Sequence, residues 1–233
     1  MCTLSFRAER DGYELFFSRD ERRSRAPARP PALQASAGVR FLAPRDPDGG
    51  GTWLAANHCG VTVALLNRYG VTPRGEEFAS RGELVQALAS ARSLREVESR
   101  VCALPLASWR PFELAAFAPD EPVLRLGWDG LVLEVQRGGS EPLCSSAVAD
   151  GQARAARRAR FAELAPADSA ALEAFHREHA AGLGPLSTCM HRADAKTVSL
   201  SRVRVTRERV TLAYAAGSPC RARFGRELEL PRA

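Results

Sequence analysis

A chain of 233 residues with 45% hydrophobic content is long enough for one substantial domain, and single domains of this size are ordinary for β-rich architectures. The net charge of +6 would ordinarily suggest nucleic acid as a partner. Here the basic residues are arginines apart from Lys196, they are scattered through acidic ones apart from denser runs at Arg19 to Arg29 and Arg154 to Arg160, and no zinc-finger or aromatic RNA-binding signature accompanies them, so no nucleic-acid partner is expected.

Six widely separated cysteines, none in a C-x-x-C pair, read as individual thiols in a reducing compartment, not as a disulfide scaffold. No run of about 18 apolar residues is present, and charges interrupt the N-terminal segment within its first residues, so neither a spanning helix nor a signal peptide is expected. A cytoplasmic protein follows, with residues 1–233 as a single domain and no stable membrane insertion.

The β-formers of Cys2 to Arg7 and Tyr13 to Ser18 flank Asp11-Gly12, a strong hairpin signal. Closing the pair at that turn puts position 2 opposite positions 19 to 21, which brings Arg19, Asp20 and Glu21 toward the Cys2 thiol by register. Residues 22–37, rich in Arg, Pro, Ala and Ser, read as an exposed mobile loop able to cover a site. Strand Val39 to Ala43 comes next. The Gly49-Gly50-Gly51 run lacks the Lys-Ser/Thr of a phosphate loop and reads as a turn before two apolar strands, Thr52 to Asn57 and Val61 to Asn67.

Between Arg81 and Leu104 the period becomes helical, with capping-box spacings at Ser80/Glu83 and Ser93/Glu96. Strands return at Phe112 to Phe117, Val123 to Trp128 and Leu131 to Val135. Residues 152–181 are again helical, with Asp168 as an N-cap and Leu172, Phe175, His176 and His179 on one face. The tail reads as strands Thr197 to Val205, Arg209 to Ala216 and Cys220 to Leu230. Strands in hairpins and helices in pairs predict an α+β fold of two antiparallel sheets stacked between helix layers.

A cysteine directly behind the initiator would become the N-terminal residue if Met1 were removed. It would then carry a thiol of ordinary pKa about 8.5 beside an α-amine near 7.7 to 8.0, so nucleophile and base belong to one residue. The competing reading is the buried start of an edge strand. A cationic Arg19 near the thiol would favour thiolate, Asp20 would hold Arg19 or the ammonium, and an amide donor such as Asn57 would serve an oxyanion. His176 and His179 share a helix face and could ligate a metal or haem, although ordinary helix surface is the commoner outcome. With no H-E-x-x-H or paired C-x-x-C spacing, no metal is expected.

Met1-Cys2-Thr3, Ser18-Arg19-Asp20-Glu21, the run Gly50 to Asn57, Leu65-Leu66-Asn67, Ser145-Ser146, Cys189-Met190-His191-Arg192 and Gly217-Ser218-Pro219-Cys220 together resemble the NRDE, or transport and Golgi organization, family. Ser18 stands where the family name has Asn. That family is similar to the cysteine N-terminal nucleophile (Ntn) hydrolases, which implies a four-layer αββα sandwich. It also implies Cys2 as nucleophile, Arg19 and Asp20 as orienting residues, Asn57 as oxyanion donor, and His191, Asn67 and Ser146 as substrate-binding positions.

Two functions follow as expectations. One is an amidohydrolase or acyltransferase acting on a small amide or thioester, with no required cofactor. The alternative implied by the family is a non-enzymatic protein that binds and traffics haem or lipid and acyl-CoA on the same fold.

Overall fold

The computed structural model describes residues 2–70 and 78–233. Its strands, numbered in chain order, form two antiparallel sheets. The first runs in the spatial order β10 (Leu143–Ser145), β1 (Cys2–Glu9), β2 (Gly12–Arg22), β11 (Ala195–Val205), β12 (Arg209–Ala216) and β13 (Leu228–Pro231). The second runs β3 (Arg29–Ser36), β4 (Val39–Arg45), β5 (Leu54–Asn57), β6 (Thr62–Asn67), β7 (Phe112–Phe117), β8 (Leu124–Trp128) and β9 (Leu133–Arg137).

Three apolar layers hold the sheets and helices together. Leu4, Leu15, Phe17, Leu42, Leu54 and Leu212 meet between the sheets. Helices α1 (Arg81–Leu88) and α2 (Leu94–Cys102) bury Leu84, Val85, Val97 and Val101 against the outer face of the second sheet. Helices α3 (Asp150–Leu164) and α4 (Ser169–Arg177) cover the first sheet, where Leu172 packs on Phe16, Leu200 and Ala215. The expected αββα sandwich is therefore the fold. Because both faces of β2 are covered, its residues are buried without interruption from Gly12 to Asp20, and period-2 alternation decides which layer each side chain enters.

The Asp11-Gly12 turn forms as expected and pairs Glu9 with Gly12 and Cys2 with Arg19. Glycine is required at position 12, since a Cβ there would lie 1.9 Å from the Val205 carbonyl oxygen. Among the helix starts, Ser93 accepts from the Glu96 N–H and Asp168 from the Ala171 N–H, as their spacing predicts, whereas the Ser80 side chain makes no cap bond.

Several expectations require correction. Residues 22–37 are not one loop, because Arg29–Ser36 form β3, paired with β4 at the sheet edge. Pro30 and Pro31 sit where the register shifts between Arg29 and Ala32, an edge bulge where a missing N–H is tolerated. The predicted strand Cys220 to Leu230 shrinks to Leu228–Pro231. The helical stretch 152–181 splits in two and ends at Arg177, so His179 lies beyond it. No helix among the described residues is long and apolar enough to cross a membrane.

Candidate functional site

At the open end of the β1–β2 hairpin the two sheets part to leave a cavity of about 300 Å³, lined by Cys2, Arg19, Trp53, Asn67, Tyr69, Arg81 and Arg110 among others. The hairpin register places Arg19 directly across from Cys2, and on its other side β1 pairs Cys2 with Ser145. The Cys2 N–H donates to Ser145 Oγ at 3.1 Å. Asn67 Nδ2 donates to Tyr69 Oη at 2.9 Å. Arg81 reaches the rim because Gly51 and Gly82 let two backbones touch; a Cβ on Gly51 would fall 2.2 Å from the Gly82 carbonyl carbon.

Arg19 is tightly held. Its guanidinium stacks 4.3 Å over the Trp53 ring and pairs with Glu21 at 3.0 Å and Asp46 at 2.9 Å, and Asp46 is shared with Arg25. Against the opposing effect of partial burial, Arg19, the Gly49 N–H and Arg25 keep the Asp46 carboxyl below its ordinary pKa. The Arg19 charge is thus largely answered by carboxylates before it reaches the thiol. Burial, joined by the negative charge of Asp20, pushes the Cys2 pKa up, and together they outweigh the N-terminal positive charge, the Asp20 backbone hydrogen bond and, last, Arg19, all of which favour thiolate. The expected role of Arg19 as thiolate stabiliser is accordingly minor.

Asp20 also lines the cavity, but its carboxylate is engaged on the opposite side of the strand. Neighbours on a strand point to opposite faces, so with Arg19 turned into the inter-sheet cavity, the Asp20 side chain enters the helix layer. There it pairs with the fully buried Arg157 at 3.4 Å and accepts from Thr197 Oγ1 at 2.6 Å. Arg157, from α3, also donates to Thr3 Oγ1 at 2.7 Å and to the Pro185 carbonyl at 3.0 Å. The expectation that Asp20 orients Arg19 is corrected: Glu21 and Asp46 do so.

Three further expectations are corrected. Asn57 does not line the cavity. Its Nδ2 donates to the Ala89 and Ala91 carbonyls and its Oδ1 accepts from the Cys59 and Val61 N–H groups, so the side chain has no capacity left for an oxyanion. Ser146 is also outside the lining; its Oγ donates to the Val148 carbonyl and its N–H to Asp150 at the start of α3. Its neighbour Ser145 is the one that touches Cys2. His191 is elsewhere too, in contact with Cys189 and Cys220. Asn67 alone of the expected binding positions lines the cavity.

His176 is core, not surface. Ser5 Oγ lies 2.8 Å from Nε2 and Ser18 Oγ 2.7 Å from Nδ1, and burial, then Arg157, lowers its pKa to about 3. The Ser18 that departs from the family pattern therefore serves a buried hydrogen bond. His179, Cys189, His191 and Cys220 form a separate group whose potential ligand atoms all lie within 4.8 Å of one another. Sequence spacing did not single out this group, because its members come from three distant segments. Arg157, Asp46 and Trp53 were likewise missed, being ordinary residues until folding brings them to β1 and β2.

The fold is shared with solved enzymes of very different sequence. Penicillin V acylase from Agrobacterium tumefaciens aligns over 93% of this chain and 83% of its own at 10% identity, with a TM-score of 0.55. The Caenorhabditis elegans orthologue of N-acylethanolamine-hydrolyzing acid amidase covers 87% and 92% at 8% identity and 0.59. A variant of conjugated bile acid hydrolase from Clostridium perfringens covers 99% and 92% at 12% identity and 0.57. No curated protein matches the sequence. Residues 1–122, more than half of the 233, match Transport and Golgi organisation 2, and the chain belongs to that family on an Ntn-hydrolase-like fold.

Proposed function

We propose that the protein is a cysteine N-terminal nucleophile amidohydrolase or acyltransferase for a small acyl amide or thioester, with Cys2 as nucleophile. The observation that carries this reading is the position of Cys2: it lines the cavity, while its backbone nitrogen donates to Ser145 Oγ. Met1 itself lies outside the described residues. Were it removed, that nitrogen would become an α-amine next to the thiol, already held by a hydroxyl.

Because burial raises the thiol pKa, a standing thiolate is disfavoured and proton transfer to the amine accompanies attack. The sulfur forms a bond to the acyl carbon, the α-ammonium passes the proton to the leaving nitrogen of an amide or sulfur of a thioester as its bond to that carbon breaks, and water or a second amine then cleaves the acyl-enzyme thioester. Asn67, not Asn57, is the amide donor available to the developing oxyanion.

Arg81 and Arg110 suit a substrate bearing an anionic group, since among the described residues neither has a carboxylate ion pair. Burial, partly offset by Tyr69 and reinforced by Arg110, lowers the Arg81 pKa. A cavity of about 300 Å³ lies at the small end of the roughly 300 to 1,000 Å³ of ligand pockets, which favours a compact acyl group over a haem macrocycle. The same arginines support the second reading, a non-catalytic carrier of a compact anionic acyl ligand.

Intact mass and a panel of N-acyl amides and acyl thioesters separate the two. The catalytic reading expects a chain lacking Met1, an acyl-enzyme mass increment, and loss of both increment and turnover in Cys2→Ala. A retained Met1, or equal turnover in Cys2→Ala, would overturn it; the carrier reading instead expects acyl ligand binding that survives Cys2→Ala and is lost in Arg81→Ala.

A further inference from the structure

We infer that His179, Cys189, His191 and Cys220 form a four-ligand site for a zinc-like divalent cation, apart from the Cys2 cavity. The two sulfur-to-nitrogen distances made by His191 match such a site. Zinc bonds of about 2.3 Å to sulfur and about 2.0 to 2.1 Å to nitrogen, at tetrahedral angles, set sulfur and nitrogen roughly 3.6 Å apart. His191 Nε2 lies 3.6 Å from Cys189 Sγ and 3.4 Å from Cys220 Sγ. The His179 ring stands 5.1 Å from the His191 ring, and all four potential ligand atoms lie within 4.8 Å of one another.

The surroundings orient these ligands as a metal site requires. His179 Nδ1 is 2.7 Å from the Cys189 carbonyl oxygen. With the proton on Nδ1 donated to that carbonyl, the Nε2 lone pair is free, the usual backbone support for a ligating histidine. Cys189 and His191 flank the buried Met190, and their side chains meet at 3.6 Å. That segment is pinned by the His191 N–H to the Leu183 carbonyl, the Cys189 N–H to the Glu178 carbonyl and the Met190 N–H to Thr197 Oγ1.

Cys220 is brought in from after β12, where Arg177 Nη1 donates to both the Pro219 and Ala222 carbonyls. Two imidazoles and two thiols in one tetrahedral set select zinc over the oxygen-seeking magnesium and calcium. Four protein ligands make the site closed and structural, not catalytic. Cys220 is exposed, which leaves a route for the ion to enter. The metal would join the chain after α4, the lead into β11 and the loop after β12. Through Met190 and Thr197, it would also steady the carboxylate of Asp20, which accepts from Thr197 at 2.6 Å.

The test uses the full chain, purified under reductant, stripped with chelator and titrated with cobalt(II). One equivalent should give the intense d–d bands of a tetrahedral ion with thiolate charge-transfer absorption, and zinc should bleach them. Cys220→Ser and His191→Asn should weaken binding by at least about 100-fold, the upper end of what loss of an outer-shell partner alone does. Cys59→Ser should leave the spectrum intact. The proposal is overturned if the wild-type chain with free thiols shows no such bands at equimolar cobalt, or if Cys220→Ser keeps them. It is also overturned if the native mass without reductant is two hydrogens short through a Cys189–Cys220 disulfide.

Discussion

The two faces of the β1–β2 hairpin differ in kind although their residues alternate along the same strands. On the inter-sheet face, Cys2 and Arg19 border an open cavity, and Arg19 is held by the ring of Trp53 and by Glu21 and Asp46. On the helix face, Thr3, Ser5, Ser18 and Asp20 are buried and meet Arg157, His176 and, at Asp20, also Thr197. One face is left free to meet a ligand, and the other is locked by hydrogen bonds to helices. Adjacent residues such as Arg19 and Asp20 thus do unrelated work, which is a direct consequence of strand periodicity.

If the helix face is scaffold, its disruption should strike stability first. Arg157→Ala would leave the Asp20 carboxylate buried without its cation, and should cost about 3 to 5 kcal/mol in denaturant unfolding. Pairing it with Asp20→Asn should restore part of that loss. A destabilisation below about 1 kcal/mol would mean that the two faces are not separated as described.

The two asparagines give the next contrast. Asn57→Ala strips partners from four backbone groups and should lower stability by at least about 2 kcal/mol. Asn67→Ala should change stability by no more than about 1 kcal/mol while reducing turnover of an acyl substrate about 100- to 1,000-fold. Equal stability losses, with no split in activity, would erase the distinction between site and support.

The smallest effect is in pH. His176 has its folded pKa lowered to about 3 against an ordinary value near 6.5, so the unfolded chain takes up a proton that the folded chain refuses. Its neutral form is compatible with full stability above pH 6.5, and stability is lost as pH falls toward 3, by about 1.4 kcal/mol per unit at most. Between pH 6.5 and 5, before most carboxylates titrate, His176→Gln should flatten the fall measured by urea unfolding. An unchanged slope would show that His176 is charged in the fold.

Much of this arrangement is legible from local signals. The Asp11-Gly12 turn sets the hairpin, and the hairpin sets Cys2 against Arg19. The same alternation implies that Asp20 turns away from Arg19, yet their adjacency in a motif suggests a pair. Composition misleads at β3, where Pro30 and Pro31 look like loop but sit at an edge bulge. Asn57 has the amide chemistry of an oxyanion donor, and only its four hydrogen bonds reveal that it is spent on the turn after β5.

By itself the sequence determined the layered α+β fold, the leading hairpin and the register that sets the thiol beside a guanidinium, because turn chemistry and hydrophobic period act over a few residues. Tertiary structure alone decided which polar groups meet. Ser145 comes to Cys2 from 143 positions away, Arg157 to Thr3 from 154, and Cys220 to His191 from 29. A side chain's partners depend on where distant segments close, and once burial removes water, those partners fix whether it is free to react, bind a metal or only hold the fold.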